Sequence, residues 1–292
     1  MSGTLTDAYQ QVRMANPFPG QMDRKLGKYS EVVDEVRGVS RVGSDILSIG
    51  AGVCEVEAIL SVLGYNVIAI DDLSDIWHLL GRNRERIIEF AESHGVKLIV
   101  KPFEEAGLQQ QFDIVMLIDV LEHIMFSPRE LLNKALKYLK PGGALLVETP
   151  NAARLYYRLR QLFGKPNYID LEGFYWSVGP YRYHLKEYTA DELRTMLRIQ
   201  GLKDIRVRSY NVATKLVDPE DGLHEAALRL YDLVSGTCPG FKDTLMATGV
   251  KPEGWVPVEA DLEKIIRYRP ELMSYNLDNQ PLQELVEARG KG

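Results

Sequence analysis

The stretch DILSIGAGVCEVEAILSVLGYNVIAIDD, residues 45–72, decides the fold. Asp45–Ile49 is a short apolar run ending on Gly50-Ala51-Gly52, and Val53–Leu63 continues at helical spacing until Gly64 stops it. Asn66–Ile70 is a second apolar run, closed by Asp71-Asp72. Strand, Gly-x-Gly turn, helix and strand together form a nucleotide-approach unit. The glycines let the backbone come close, and the helix N-terminus offers free N–H groups. Asp71 follows Gly50 by 21 positions, where a carboxylate accepts hydrogen bonds from both hydroxyls of a ribose. A dinucleotide fold wants a third glycine at position 55. Glu55 stands there and would repel a pyrophosphate, which disfavours an NAD-dependent oxidoreductase.

The alternation extends along the chain. Met22–Val39 reads as a helix, Ile76–Ser93 as another, and Val96–Val100 as a strand. Phe112–Ile118 is nearly continuously apolar, as a strand buried on both faces of a parallel sheet should be. Pro128–Leu139 reads as a helix stopped by Lys140-Pro141-Gly142-Gly143, with Ala144–Thr149 as the fifth strand. Later come a helix at Ala190–Ile199, a strand at Asp204–Arg208, a helix at Leu223–Val234 and a last strand at Asp243–Val250. The fold class expected is therefore α/β, a doubly wound, mostly parallel seven-stranded sheet. Residues 1–20, polar and carrying Pro17 and Pro19, read as an irregular arm, and residues 253–292 as an appended, partly helical tail.

Composition narrows the function classes. The chain has 292 residues, 45% hydrophobic and 26% charged, near the average of globular proteins, with a formal charge of -6. That charge offers no global field for nucleic acid or an anionic membrane. Two cysteines, Cys54 and Cys238, make no disulfide framework, and a cytoplasmic setting is expected. The longest uncharged stretch, Ala58–Ile70, has 13 residues, short of the ~20 needed to span a membrane. No oligomeric state is legible.

These ordered motifs resemble the class I S-adenosylmethionine (SAM)-dependent methyltransferases, over about residues 40–250. Ile46-Leu47-Ser48-Ile49-Gly50-Ala51-Gly52 followed by Asp71 is similar to that family's first motif. Phe112–Ile118 with Asp119-Val120-Leu121-Glu122-His123 resembles its fourth strand and the segment after it. Leu139-Lys140-Pro141-Gly142-Gly143 resembles its turn into the fifth strand, and His184 through Thr189 with Glu192-Leu193 resembles a later segment. Ser48 and Cys54 depart from the family's usual acidic residue and glycine, and Lys101-Pro102-Phe103-Glu104 lacks the usual Asp after the third strand.

The resemblance implies a SAM site at the carboxyl ends of the first four strands. Gly50, Ala51 and Gly52 would pass the methionine part, Asp71 would hold the ribose, and Asp72 and Leu73 would flank the adenine. Phe103 would cover the adenine and Glu104 accept from it, while Ile118 and Asp119 would meet the methionine ammonium. His123 and His184 are the candidates for general base. Asp119, Glu122 and His123, at i, i+3 and i+4, would share one face of a helix and could hold a divalent metal. The plainer reading, that Glu122 and His123 hydrogen-bond the following loop, is preferred. His78, His94 and His224 read as core or surface fillers, and Cys54 as a small buried residue.

Residues 151–188 form a cap insert rich in Tyr, Phe and Trp, with six basic against three acidic side chains. Flat aromatic faces suit sugars and rings, and arginine suits phosphates or carboxylates. The acceptor expected is a small molecule: a sugar, nucleotide sugar or other anionic metabolite methylated on oxygen. A non-catalytic methyltransferase-like binding module is the alternative, and nucleic acid is not favoured.

Overall fold

The computed structural model describes residues 4–23, 25–166, 171–177, 183–212, 222–278 and 280–289, with the side chains of 222–228 and 287–289 outside the description. In chain order the larger elements are α1 (Leu5–Ala15), α2 (Leu26–Val39), β1 (Asp45–Ile49), α3 (Glu55–Val62), β2 (Asn66–Asp71), α4 (Asn83–Ser93), β3 (Lys97–Val100), β4 (Phe112–Ile118), α5 (Pro128–Lys137), β5 (Leu139–Pro150), α6 (Leu155–Leu162), α7 (Leu171–Tyr175), α8 (Ala190–Ile199), β6 (Lys203–Tyr210), α9 (Gly222–Gly236) and β7 (Thr244–Val250). The seven strands form one sheet in the order β3-β2-β1-β4-β5-β7-β6. The strands from β1 to β5 pair in parallel, and β7 runs antiparallel between β5 and β6. The expected doubly wound sheet is present.

Strand residues alternate between two cores, as the period of two requires. Ile46, Val67, Ile114, Met116 and Leu146 pack on one face with α1, α2 and α3. Leu47, Ile49, Val115, Leu117 and Leu145 pack on the other with Leu132 and Leu136 of α5 and Leu193 and Leu197 of α8. Both faces being covered, β4 is apolar except for Asp113, which pairs with Lys140 near its start.

Four local expectations need correction. The segment before Pro17 is a helix, α1, started by a capping box between Thr4 and Asp7 and holding Ala8, Tyr9 and Val12 in the core. Two prolines signalled where the helix ends and hid that it exists. The second helix begins at Leu26, after turns at Met22 and Asp23. The helix expected from Ile76 begins only at Asn83: Ile76, Leu79 and Leu80 are exposed, and Gly81 adopts φ 54°, which breaks helical continuity. Finally, Lys140–Gly143 does not separate helix from strand but lies within β5, whose pairing with β4 slips between Phe112↔Leu139 and Ile114↔Ala144.

The chain divides into two compact units, residues 1–255 and 256–292. The second contains three short helices, α10 (Leu262–Tyr268), α11 (Glu271–Ser274) and α12 (Leu282–Arg289), the first capped by Asp261. No helix among the described residues is long and apolar enough to cross a membrane.

Candidate active site

The Gly-x-Gly turn sits at the carboxyl end of β1. The Gly50 and Ala51 N–H groups both donate to the Ile70 carbonyl, at 2.8 and 3.3 Å. Gly50 has φ 74° and Gly52 φ 51°, the left-handed region that glycine enters without strain. A Cβ on Gly50 would lie 2.8 Å from Val120 Cγ2, whereas one on Gly52 would meet open space. The helix expected from Val53 starts at Glu55, because Cys54 is itself left-handed at φ 65°. Cys54 is fully buried, and burial pushes its thiol well above the ordinary range.

Asp71 closes the turn from the neighbouring strand. Its Oδ2 accepts from Gly52 N–H and its Oδ1 from Leu73 N–H, each at 2.8 Å. The carboxylate is therefore fixed in place, with lone pairs to spare. Asp72 turns to accept from Ser74 N–H at 2.9 Å. Leu73 is fully buried and packs with Val53 and Ile87, so its side chain belongs to the core. Phe103 and Glu104 are tied to α5, through the Tyr138 ring at 5.8 Å and Lys134 Nζ at 3.6 Å. Phe103 was expected to cover an adenine and Glu104 to accept from it; the contacts described for the two side chains are these.

Glu55 anchors the N-terminal helices to the turn. It accepts from Asn16 Nδ2 and from Lys25 Nζ, both at 3.0 Å, and from the Tyr29 hydroxyl. Two residues on, Glu57 accepts from Ser48 Oγ at 2.5 Å. The carboxyl missing from β1 at Ser48 is thus supplied next to it from α3. Burial pushes Glu57 up to about 7, against the opposing Ser48 hydrogen bond. Below its ordinary value near 4.5 both folded and unfolded chains hold this proton. As pH rises towards 7 the unfolded chain ionises first, and the stability it contributed is lost. Glu57→Gln should therefore gain on wild type by about 1–3 kcal/mol between pH 5 and pH 8. Urea unfolding of both proteins at the two pH values checks this. An unchanged gap would mean the folded protein ionises Glu57 as easily as the unfolded one.

The second cluster lies where β4 and β5 end. Ile118 is half-buried opposite Glu148, and Asp119, at φ 52°, pairs with Lys28 of α2. Lys28 also approaches Glu148 Oε1 at 3.7 Å. Burial works against the Lys28 charge, but Glu148 and Asp119 outweigh it and hold its pKa above normal. Glu148 is fully buried, accepts from the Tyr210 hydroxyl, and is pushed up to about 7 by burial. Leu121–His123 is a single 3-10 turn. The helix that would have aligned Asp119 with Glu122 and His123 is absent: Asp119 precedes the turn with a left-handed backbone, and among the described residues its carboxylate is not in the set that converges with them.

The structure instead brings His184 to Glu122 and His123. One ligand atom from each lies within 4.8 Å of the others, and the two imidazoles meet edge to face at 5.0 Å. Glu122 is fully buried, and its Oε2 accepts from Thr149 Oγ1 at 2.9 Å. Its Oε1 has no hydrogen-bond partner among the described residues. Burial, then the Asp119 charge, pushes it up to about 7. Its backbone carbonyl accepts from Leu185 N–H at 2.7 Å, which ties the two segments together. His184 Nδ1 lies 2.8 Å from Glu187 Oε1, a contact that raises the His184 pKa. Among the other histidines, His78 and His94 are buried fillers, His94 Nδ1 lying 2.9 Å from the Phe90 carbonyl, and the His224 side chain falls outside the described residues.

Sequence reasoning did not single out Lys28, Glu57, Glu148, Thr149 or Glu187 as site residues. Glu148 carried a signal, a carboxylate inside the apolar run Leu145–Thr149. In the cap insert, Tyr156, Phe163, Tyr175, Trp176 and Tyr183 are exposed, and Tyr188 is buried. Tyr168, Tyr181 and Arg182 lie outside the described residues.

Comparison with known proteins accords with this geometry. A family model described as a methyltransferase domain matches residues 21–207. The ubiquinone biosynthesis O-methyltransferase of Rickettsia conorii is 28% identical over 156 residues, 53% of this chain and 50% of its own. That of Rickettsia prowazekii is 30% identical over 121 residues, 41% and 43% of the two chains. The chain spans about half the length of the curated relatives it matches. A SAM-dependent methyltransferase from Archaeoglobus fulgidus superposes with a TM-score of 0.51 at 18% identity, covering 78% of this chain and 95% of that one. A putative sarcosine dimethylglycine methyltransferase from Galdieria sulphuraria gives 0.52 at 13%, covering 85% and 99%. At those identities the likeness is one of fold.

Proposed function

This chain belongs to the family of methyltransferase domains, and on that premise we propose that it transfers a methyl group from SAM to an oxygen of a small-molecule acceptor. The observation that carries the oxygen assignment is the junction of Glu122, His123 and His184 at the ends of β4 and β5. A hydroxyl needs a proton acceptor as it attacks, and an imidazole already hydrogen-bonded to a carboxylate on one nitrogen can take that proton on the other.

The residues fit the cofactor. Gly52 opens onto free space, Asp71 is a fixed carboxylate for ribose hydroxyls, and Lys28 beside Asp119 presents a cation and an anion to a zwitterionic amino-acid end. SAM supplies an already activated methyl group, so the protein's task is alignment and proton removal. Gly50 and Ala51 bring the backbone close, Asp119 pairs with the ammonium, and His184 receives the acceptor's hydroxyl proton at Nε2. The acceptor is a sugar, nucleotide sugar or other anionic metabolite, held by aromatic faces and arginines of the cap insert. A hydroxyl on an aromatic ring is the second reading, favoured by relatives named ubiquinone biosynthesis O-methyltransferase.

The junction also fits a divalent cation. Glu122 Oε1 is buried without a partner, and Glu122, His123 and His184 are an oxygen and nitrogen set suited to Mg²⁺, Mn²⁺ or Zn²⁺. Those three residues would hold it, and it would lower the pKa of a bound hydroxyl.

Calorimetric titration with S-adenosylhomocysteine, with NAD⁺ as control, tests the cofactor assignment on wild type and Asp71→Ala. The variant loses the ribose contact and the acceptor of two backbone N–H groups, so affinity should fall about 30- to 300-fold, roughly 2–3 kcal/mol. Equal affinity in both proteins, or binding of NAD⁺ alone, would overturn it. Labelled methyl transfer from SAM to UDP-glucose, glucose and 4-methylcatechol then separates the two acceptor readings.

A further inference from the structure

Glu187 meets His184 at Nδ1, and its surroundings are unusual for a carboxylate that only fills space. Its side chain is 2% exposed. Its Oε1 receives the Tyr157 hydroxyl at 3.0 Å and Arg154 Nη2 at 3.1 Å, and lies 2.8 Å from His184 Nδ1. Arg154 Nη1 stands 2.9 Å from Oε2, and its guanidinium lies 3.6 Å from the centre of the Tyr157 ring. Arg154 precedes α6 and Tyr157 lies within it, so three donors from two segments converge on one buried carboxylate.

We propose that Glu187 is the positioning residue for His184, fixing the imidazole as its Nδ1–H tautomer and leaving Nε2 unprotonated, with Arg154 and Tyr157 holding Glu187 in place. Donor and acceptor chemistry dictates this choice. An ionised carboxylate only accepts, so the nitrogen facing it must carry the hydrogen. Arg154 only donates and cannot reverse the arrangement. The same carboxylate–histidine pairing sets the free nitrogen in a base or in a metal ligand, so the inference serves either role of His184. It rests on the reading of His184 as a working residue, and its consequence is that the setting of His184 depends on the start of the cap helix. An acceptor that moves α6 would move the residue that orients the base.

Glu187→Leu tests this, because leucine fills similar space and accepts no hydrogen bond. Tyr157, Arg154 Nη2 and His184 Nδ1 all meet Oε1, so the variant removes the acceptor that Nδ1–H faces, and the neutral imidazole reverts to its intrinsic preference for Nε2–H. Two-bond ¹H–¹⁵N correlation spectra of ¹⁵N-histidine-labelled protein at pH 9, assigned with His184→Ala, report the tautomer of the neutral ring. Wild type should show Nδ1–H and Glu187→Leu should show Nε2–H, with Glu187→Gln, whose amide oxygen takes the place of Oε1, retaining the wild-type pattern. An Nε2–H ring in wild type, or a tautomer unchanged by Glu187→Leu, overturns the inference. Unchanged S-adenosylhomocysteine affinity in Glu187→Leu separates it from general unfolding. A reversed tautomer with undiminished methyl transfer to the acceptor found above would uphold the positioning role and reject the base reading instead.

Discussion

His184→Ala should turn over about 10²–10⁴-fold more slowly than wild type, the usual contribution of a positioned general base, while S-adenosylhomocysteine binds within about twofold of wild type. The two readouts separate because of where His184 sits. It stands at 5.0 Å from His123 and next to Glu122, at the ends of β4 and β5, whereas Asp71, the carboxylate proposed to hold the ribose, is at the end of β2. A loss confined to the chemical step identifies an interaction made in the transition state, and a loss shared with cofactor affinity identifies disordered packing. The side chain is 38% exposed, so its removal leaves little cavity. Added imidazole should restore part of the rate. Full turnover in His184→Ala would move the proton to solvent or to His123. Loss of rate restored by neither imidazole nor a change of pH, but accompanied by lost Mn²⁺ binding, would favour the metal role of the same junction.

The architecture was legible because its signals are local and repeated. Gly50-Ala51-Gly52 after Asp45–Ile49, the both-faces-buried run Phe112–Ile118 and Gly64 after α3 each carry one physical cause in a few residues. The glycine turn and the carboxylate that closes it were legible for the same reason, since Asp71 ends the strand next to that turn. The junction of Glu122, His123 and His184 was half legible. Glu122 and His123 are neighbours in sequence, but their third member, His184, arrives through a backbone bond from Leu185 to the Glu122 carbonyl, a pairing no spacing rule encodes. Asp119 was placed with them by helical periodicity, and a left-handed φ of 52° sent it to Lys28 instead. Lys28 itself lies 91 residues from Asp119, on a helix whose amphipathic pattern gives no hint that one lysine points inward. The departures at Ser48 and Glu55 look like losses when read singly. In three dimensions Glu57 stands beside Ser48, and Glu55 fastens α1 and α2 to the turn.

Gly50→Ala should destabilise the protein by about 2–4 kcal/mol, and the cost has two separable sources. An L-residue at φ 74° is strained by roughly 1–2 kcal/mol wherever it stands. The remainder is a collision: the new Cβ would lie 2.8 Å from Val120 Cγ2. Val120 is β-branched, with few rotamers to escape into, and it sits between Asp119 and Glu122, so pushing it aside also displaces the second cluster. Val120→Ala removes the obstructing methyl groups without touching φ. The double variant Gly50→Ala, Val120→Ala should therefore be about 1–2 kcal/mol more stable than the sum of the single changes predicts. Additive losses would mean the turn can shift away from Val120. Gly52→Ala supplies the contrast, because a Cβ there meets nothing within 4 Å and bears only the strain of φ 51°. It should unfold only about 1–2 kcal/mol more easily than wild type. Yet if the open space beside Gly52 is where the cofactor's methionine part lies, the same methyl group should reduce S-adenosylhomocysteine affinity far more than it reduces stability. Gly52→Ala with full affinity would show that the space is surface, and would move the cofactor away from the turn.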